Sequence, residues 1–345
     1  MNKLLVKIST AVLLAGAWQM AMAAPTGLDF ATYTGADRNE LLLAAAQKEG
    51  EVSVYQAYPA LSVVEAAFTK KYGIKVKSWR ADSETILQRV VTEARGGRNE
   101  VDIVQNNAPE QEGLHREKLL QEVKSPFLAD IIPEAFPSHR EWVGLTQDVW
   151  IAAYNSDKIK KEDLPKTYDD LLDPKWKGKL AVEANDYGWF SNLVTTMGDQ
   201  KARKLFADIV KTNGMSFRKG HSLLAALVAS GEVPMGLSVY SWSVLPLQKK
   251  GAPIQPLYLQ PVLGQFSALA MIKKAPHPAA AVLFYDFLFG EGQQILADLY
   301  FIPASKKIPH ALNGVKIKYV DPGQALDNQA KDYKTYNEVL LNNAK

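Results

Sequence analysis

Residues 51–79 read EVSVYQAYPALSVVEAAFTKKYGIKVKSW, and this stretch decides the fold class. Its two ends, 51–55 and 74–79, alternate between apolar and polar residues, which is typical of half-buried strands. Between them, Val64 and Phe68 recur at helical spacing on one face. The stretch therefore predicts a strand, a helix and a second strand in succession.

The chain continues the same alternation after residue 79. Asp82 or Ser83 is placed to cap a second helix, which Gly96 ends, and residues 101–104 predict a third strand. The order β-α-β-α-β favours a parallel sheet with right-handed crossovers. We therefore expect an α/β fold.

Polar residues follow each predicted strand of this first set. Ligands of such sheets bind at the carboxyl ends of the strands, where helix N-termini also present free N–H groups. The candidate binding residues at this edge are Tyr58, Ser83, Asn106 and Asn107.

A second strand–helix series occupies the later part of the chain. Residues 179–183, 215–217 and 233–239 predict strands, and each is followed by a polar turn and a helix. An apolar strand is also predicted over 147–155. The candidate binding residues of this half are Gln147, Asp186, Tyr187, Arg218, His221 and Tyr240.

The composition excludes several functional classes. The 345 residues are 47% hydrophobic, as in a globular protein of two domains, and the 40 basic and 37 acidic residues leave a charge of +3. With no basic block, we expect no nucleic-acid partner. Cysteine is absent, which excludes disulfides, zinc–thiolate sites and a lipid-anchored cysteine. We expect a monomer.

Residues 1–23 have the three parts of a secretory signal. Lys3 and Lys7 supply the positive start, an apolar run follows, and Ala21-Met22-Ala23 is a small-x-small cleavage site. The apolar run is too short for a membrane-spanning helix. The sequence therefore predicts an exported protein that is soluble in the periplasm.

No catalytic motif is recognisable in the sequence. There is no nucleophile elbow, phosphate-binding loop or HExxH motif, and none of the five histidines has a second histidine at metal-binding spacing. We therefore expect no enzymatic activity, no cofactor and no metal site. A secreted α/β hydrolase or transferase is the alternative from another class.

Residues 163–182 identify a family resemblance. They read DLPKTYDDLLDPKWKGKLAV, which resembles a segment of the periplasmic solute-binding proteins of bacterial ABC importers, of the ferric-iron-binding type. The resemblance implies a type 2 periplasmic binding fold, in which two α/β lobes joined by two crossing segments close on a ligand. It also implies delivery of a small-molecule ligand to permease subunits in the inner membrane. The expected lobes are 24–149 with 264–345, and 150–263.

The resemblance leaves the ligand open. Iron-binding members have two adjacent tyrosines where this chain has Tyr240-Ser241, and Fe(III) prefers several anionic oxygen ligands. Ferric iron is therefore the alternative, and a small organic or phosphorylated anion held by Arg218 is the expected ligand. A cation enclosed by aromatic residues and Asp186 is a further possibility.

Overall fold

The computed structural model describes residues 26–312 and 314–343. The predicted signal peptide, residues 1–23, lies outside the described residues. No helix within the described ranges is both long enough and apolar enough to cross a membrane.

The predicted strand–helix alternation is present. The α-helices are α1 (Arg38–Glu49), α2 (Leu61–Tyr72), α3 (Ser83–Arg95), α4 (Ala108–Arg116), α5 (Tyr187–Met197), α6 (Asp199–Asn213), α7 (His221–Ser230), α8 (Ser241–Lys249), α9 (Pro278–Phe289), α10 (Glu291–Asp298) and α11 (Pro322–Tyr336). Glycines in the left-handed conformation end α1 and α2, as the sequence indicates: Gly50 has φ 73° and Gly73 has φ 74°. Asp82 caps α3 by accepting the N–H of Thr85.

The strands are β1 (Glu51–Gln56), β2 (Lys75–Arg80), β3 (Ile103–Asn107), β4 (Leu120–Gln121), β5 (Trp142–Asn155), β6 (Leu180–Glu183), β7 (Ser216–Arg218), β8 (Met235–Tyr240), β9 (Ile254–Leu257), β10 (Val262–Ile272), β11 (Ile302–Pro303) and β12 (Ile317–Tyr319). Among the described residues they form one sheet, whose main order is β2-β1-β3-β10-β5-β8-β6-β7. Strands β1, β2 and β3 are parallel, and so are β6, β7 and β8. The predicted α/β fold is confirmed.

Two long antiparallel strands, β5 and β10, join the two parallel sets. The prediction over 147–155 covered only the second part of β5, which begins at Trp142. Polar residues interrupt these otherwise apolar strands at one place: Asp148 pairs with Gln265, and Thr146 pairs with Ser267. All four are buried.

Two large hydrophobic cores lie on either side of this polar stretch. The first core holds buried residues from Phe30 to Leu145 and from Phe266 to Ala304. The second core holds buried residues from Trp150 to Leu263, and a smaller cluster lies beside it. The chain passes from the first core to the second between Leu145 and Trp150, and it returns between Leu263 and Phe266.

The C-terminal segment differs from the expected division. Residues 264–345 were all assigned to the first lobe, yet Tyr336, Val339 and Leu340 pack in the second core. The last two belong to a π-helical turn, Asn337–Leu341, that continues α11. Helix α11 contacts both α4 and α5, so it bridges the two parts of the molecule. Its amphipathic pattern gave no indication of which core it joins.

Short 3-10 turns connect the larger elements: Gly27–Ala31, Pro126–Asp130, Pro133–Ala135, Lys161–Asp163, Asp169–Leu172 and Pro174–Trp176. The last three lie in the segment that carries the family resemblance. Trp176 is buried in the second core and donates a hydrogen bond to Asp170 O at 2.9 Å. This anchor explains why a polar, proline-containing segment packs closely on the fold.

Candidate functional site

Asp148 lies in the polar stretch of β5, between the two cores. It is only 2% exposed, and its Oδ1 accepts hydrogen bonds from Tyr58 Oη and, at 3.0 Å, from Trp242 Nε1. Burial raises the pKa of Asp148 to about 7, although the two donors oppose this shift. The strand thus places a titratable carboxyl group at the centre of the molecule.

Tyr58 reaches Asp148 from the loop after β1. The Gln105 side chain accepts the N–H groups of Ala57 at 2.9 Å and of Tyr58 at 3.2 Å, which fixes this loop against β3. The Tyr58 hydroxyl also lies 2.6 Å from Thr146 Oγ1. Burial, followed by the charge of Asp148, raises the pKa of Tyr58 well above its usual value. Tyr58 is therefore a neutral donor.

Asp186 precedes α5 in the second part of the molecule. It is 6% exposed, and its Oδ1 accepts a hydrogen bond from Trp150 Nε1 at 3.0 Å. Its buried Oδ2 atom has no described donor within hydrogen-bond distance, although the Ser238 hydroxyl is near enough to lower the pKa of Asp186. Burial raises the pKa of Asp186 to about 7. A buried carboxylate oxygen without a close donor is costly, which agrees with the raised pKa of Asp186.

His221 is the first residue of α7 and faces Asp186. Glu183 holds the preceding turn, because its carboxylate accepts the N–H of Gly220 at 2.8 Å and of Asn185 at 2.6 Å. His221 Nδ1 lies 3.2 Å from the carbonyl oxygen of Ser238, which can only accept, so Nδ1 carries the proton. Burial lowers the pKa of His221 to about 4, against the opposing effect of Glu183. The Nε2 lone pair lies 3.6 Å from Asp186 Oδ1.

Aromatic rings line the region that joins these two carboxyl groups. Tyr240 lies between Trp150 and Trp242, with centroid distances of 5.4 and 5.5 Å, and 4.1 Å from the His221 ring. Trp242 stacks on Phe301 at 5.3 Å, and Phe301 lies 4.8 Å from Tyr58. We call this set the cleft cluster; it consists of Tyr58, Asp148, Trp150, Asp186, His221, Tyr240, Trp242 and Phe301.

Acidic groups also lie near the starts of α3, α4 and α5, a region that we call the rim. Glu110 has a buried Oε2 atom without a described partner, and burial raises its pKa to about 7, with smaller contributions from Glu84 and Asp82. Burial raises the pKa of Tyr187, and the charges of Glu110 and Glu84 add to the effect. Tyr187 therefore faces the acidic starts of α3 and α4 from the other side.

Among the described residues, these carboxyl groups have no lysine or arginine partner. Within 26–312 and 314–343, no ion pair joins a lysine or arginine to Asp148, Asp186 or Glu110. Arg218, the expected anion-binding residue, lies 3.7 Å from Glu232 and donates to Phe217 O at 3.3 Å. Its guanidinium makes no described hydrogen bond or ion pair with the cleft cluster.

Gln147 also lies apart from the cleft cluster. Successive strand residues point to opposite faces, so Gln147 points away from the face that carries Thr146 and Asp148. Its amide donates to Pro303 O at 2.9 Å and accepts from the Tyr319 hydroxyl. It holds β11 and β12 against β5.

The predicted residues thus fall into separate groups. Four of them come together in the cleft cluster: Tyr58, Asp186, His221 and Tyr240. Ser83 accepts the N–H of Asn107 at 3.2 Å, at the rim that Tyr187 faces. Asn106 is fully buried, and no described residue bonds either atom of its amide.

Sequence reasoning did not single out Asp148, Trp150, Trp242 and Phe301. One signal for Asp148 was available, because a charged residue inside an apolar strand is almost never buried without a functional or structural partner. Trp242 lies two residues after Tyr240, and this spacing does not indicate in which direction its side chain points. Phe301 is distant in sequence from the other residues of the cleft cluster, so no local pattern indicates that it packs there.

Among the residues that the structure describes, two groups of side chains have the composition of metal sites. Atoms of Glu183, Asp186 and His221 lie within 4.8 Å of one another, but the Glu183 oxygens are already bound to backbone N–H groups. The other group, on the outside, is Glu112, His115 and His139. Its imidazoles stack 3.5 Å apart at 7°, so their in-plane lone pairs do not converge on one ion.

The architecture defines the class of protein. Two α/β parts connected by two crossing strands, with side chains from both parts meeting at the crossing, form the two-lobed fold of periplasmic binding proteins. Residues 64–318 match the family model described as bacterial extracellular solute-binding protein. The chain belongs to this family, which confirms the resemblance seen in residues 163–182.

Relatives and solved structures agree with this assignment. The chain is 26% identical to the Fe(3+)-binding periplasmic protein of Serratia marcescens, over 66% of this chain and 70% of that protein. It is also 26% identical to iron uptake protein A1 of Synechocystis, over 72% and 73%.

Two structures show the shared fold. Iron-bound HitA of Pseudomonas aeruginosa has a TM-score of 0.72 at 24% identity, over 84% of this chain and 99% of that chain. AfuA of Actinobacillus pleuropneumoniae, with fructose-6-phosphate bound, has a TM-score of 0.72 at 19% identity, over 85% and 99%.

Proposed function

We propose that the protein is the periplasmic receptor of an ABC importer, and that it captures a small solute in the cleft cluster and delivers it to the permease. One observation carries the proposal. Tyr58, from the loop after β1, and Trp242, from α8, donate to the same Asp148 oxygen on the crossing strand. A ligand at this place touches both lobes, and contacts with both lobes favour the closed state over the open one.

The cleft cluster is better suited to binding than to catalysis. His221 is neutral at physiological pH because burial lowers its pKa, and its Nδ1 proton is engaged by a backbone carbonyl. Tyr58 and Tyr240 are held neutral by burial. No described nucleophile in the cluster is paired with a general base, so an acyl or phosphoryl transfer has no activated group.

Ferric iron is the second candidate, because relatives at 26% identity carry iron in their names. Asp186 and His221 offer one oxygen and one nitrogen ligand. The Tyr240 hydroxyl already accepts a hydrogen bond from Gln265 at 2.9 Å, and burial raises its pKa well above the usual value. Since Fe(III) requires several anionic oxygen ligands, the cluster favours iron less than a ligand with hydrogen-bond donors.

The test uses protein isolated from the periplasm. Unfolding and refolding remove any bound solute, and small-angle scattering then measures the radius of gyration before and after the released small-molecule fraction is added back. We expect the radius to decrease on addition, and uptake of the active compound by cells to require the gene. Turnover of ester or phosphate-ester substrates, or no compound that binds, would overturn the proposal.

A further inference from the structure

We infer that the solute is a small organic cation whose protonated amine binds between Asp148 and Asp186, against the faces of Tyr240 and Trp242. The inference rests on the proposed function and specifies its ligand. It differs from the expected anion, and it also differs from the iron named in the relatives.

The charges of the cluster carry the first step. Asp186 accepts from Trp150 and Asp148 accepts from Trp242, and both of these indole rings pack on Tyr240. Burial, followed by the charges of both carboxylates, raises the pKa of Tyr240. No described lysine or arginine forms an ion pair with Asp148, Asp186 or Glu110. An anion would enter a site of its own sign, whereas a cation would neutralise one that has no counter-charge.

The unused acceptors carry the second step. Asp186 Oδ2 is buried without a described donor, and Asp186 Oδ1 faces the lone pair of His221 Nε2 at 3.6 Å. Two acceptors at this distance repel each other unless a proton donor lies between them. An ammonium group carries two or three N–H donors and a positive charge, so it satisfies both atoms at once.

The rings carry the third step. Trp150, Tyr240 and Trp242 form a row with centroid spacings of about 5.4 Å, next to both carboxyl groups. A cation is attracted to the faces of such rings, most strongly to tryptophan and in a site without water. The same rings give the hydrocarbon or aromatic part of the ligand an apolar wall. The protonated amine and the apolar part together define the ligand class.

The test screens the refolded protein by thermal shift at pH 8 against a metabolite library. The library is sorted into cations, zwitterions, neutral compounds and anions, and it includes Fe(III)–citrate. The strongest compound is then titrated by calorimetry into the native sequence and three variants, Asp186→Asn, Asp148→Asn and Arg218→Ala. Circular dichroism confirms that each variant is folded.

We expect the strongest compound to carry a protonated amine. Asp186→Asn should weaken its binding at least tenfold, as should Asp148→Asn, while Arg218→Ala should change the affinity less than twofold. Strongest binding of an anion or of Fe(III), or a large loss in Arg218→Ala alone, would overturn the inference and leave the receptor function intact. No binding in any class would overturn both.

Discussion

Asp186 Oδ1 lies 3.6 Å from Nε2 of His221, and in the ligand-free protein both atoms are acceptors. The pair is tolerated because burial raises the pKa of Asp186 to about 7 and lowers the pKa of His221 to about 4. The charge of Asp186 therefore changes near neutral pH. This relationship gives the first predictions.

Asp186→Asn should stabilise the ligand-free protein at pH 8. The asparagine keeps an oxygen for Trp150 Nε1 and removes the carboxylate charge that burial disfavours. The folded-state pKa of Asp186 is raised, so its stabilising contribution is present at low pH and is lost as the pH rises through 7. We expect a gain of about 2 kcal/mol at pH 8 and almost none at pH 4. Thermal unfolding at both pH values measures this; equal effects at both would contradict it.

Affinity for the solute should fall with acidification. Asp186, which faces His221, Glu183 and Tyr240, and Asp148, which faces Tyr58 and Tyr240, must both ionise to bind a cation. With pKa values of about 7, affinity should drop by about tenfold for each carboxyl group between pH 8 and pH 6. Calorimetry across this range measures the slope. Tighter binding at pH 6 is the behaviour of an anion and would refute the account.

Trp242→Phe should shift this pH dependence. Phenylalanine keeps a ring against Tyr240 and Phe301 but removes the donor that lies 3.0 Å from Asp148 Oδ1. Since that donor lowers the pKa of Asp148, its loss should move the midpoint of binding to higher pH and weaken binding at pH 8 by about threefold to tenfold. Trp189→Phe is the matched control, because Trp189 packs in the second core. An equal shift in the control would refute the assignment.

Arg38→Met should destabilise the first lobe without changing binding. Arg38 and Asp286 form a buried two-pronged ion pair that joins α1 to α9, with N–O distances of 2.5 and 3.2 Å. Removing one partner leaves a buried charge, at a cost of about 3–5 kcal/mol near pH 8. Arg38 lowers the pKa of Asp286 against burial, so in the variant this pKa rises and the loss shrinks as the pH falls. Thermal unfolding checks this, and the double variant Arg38→Met with Asp286→Leu should recover stability.

Much of the fold was predictable because it depends on local patterns. Alternation in 51–55 and helical spacing around Val64 indicated β1 and α2, and the glycines that end these helices adopt the left-handed conformation. The start of β5 was missed, because its fully buried first residues lack alternation. The position of Tyr336 was missed because it depends on a contact between segments that are distant in sequence.

The site was predictable only in part. Tyr58, Asp186, His221 and Tyr240 each lie at or just after the end of a parallel strand, and the structure places all four in the cleft cluster. The role of Arg218 depends on where its side chain points, and Glu232, its partner in the structure, gave no signal. Asp148 lies within a crossing strand. The rule that ligands bind at the carboxyl ends of parallel strands therefore does not predict it.

The most direct test is accurate mass spectrometry of the molecule released from protein purified out of its native periplasm. We predict a single small organic compound that carries a protonated amine, bound in a one-to-one ratio and absent from Asp186→Asn protein prepared in the same way. A phosphate ester, a carboxylate without an amine, or Fe(III) in the native protein would contradict the assignment of the cleft cluster as a cation site.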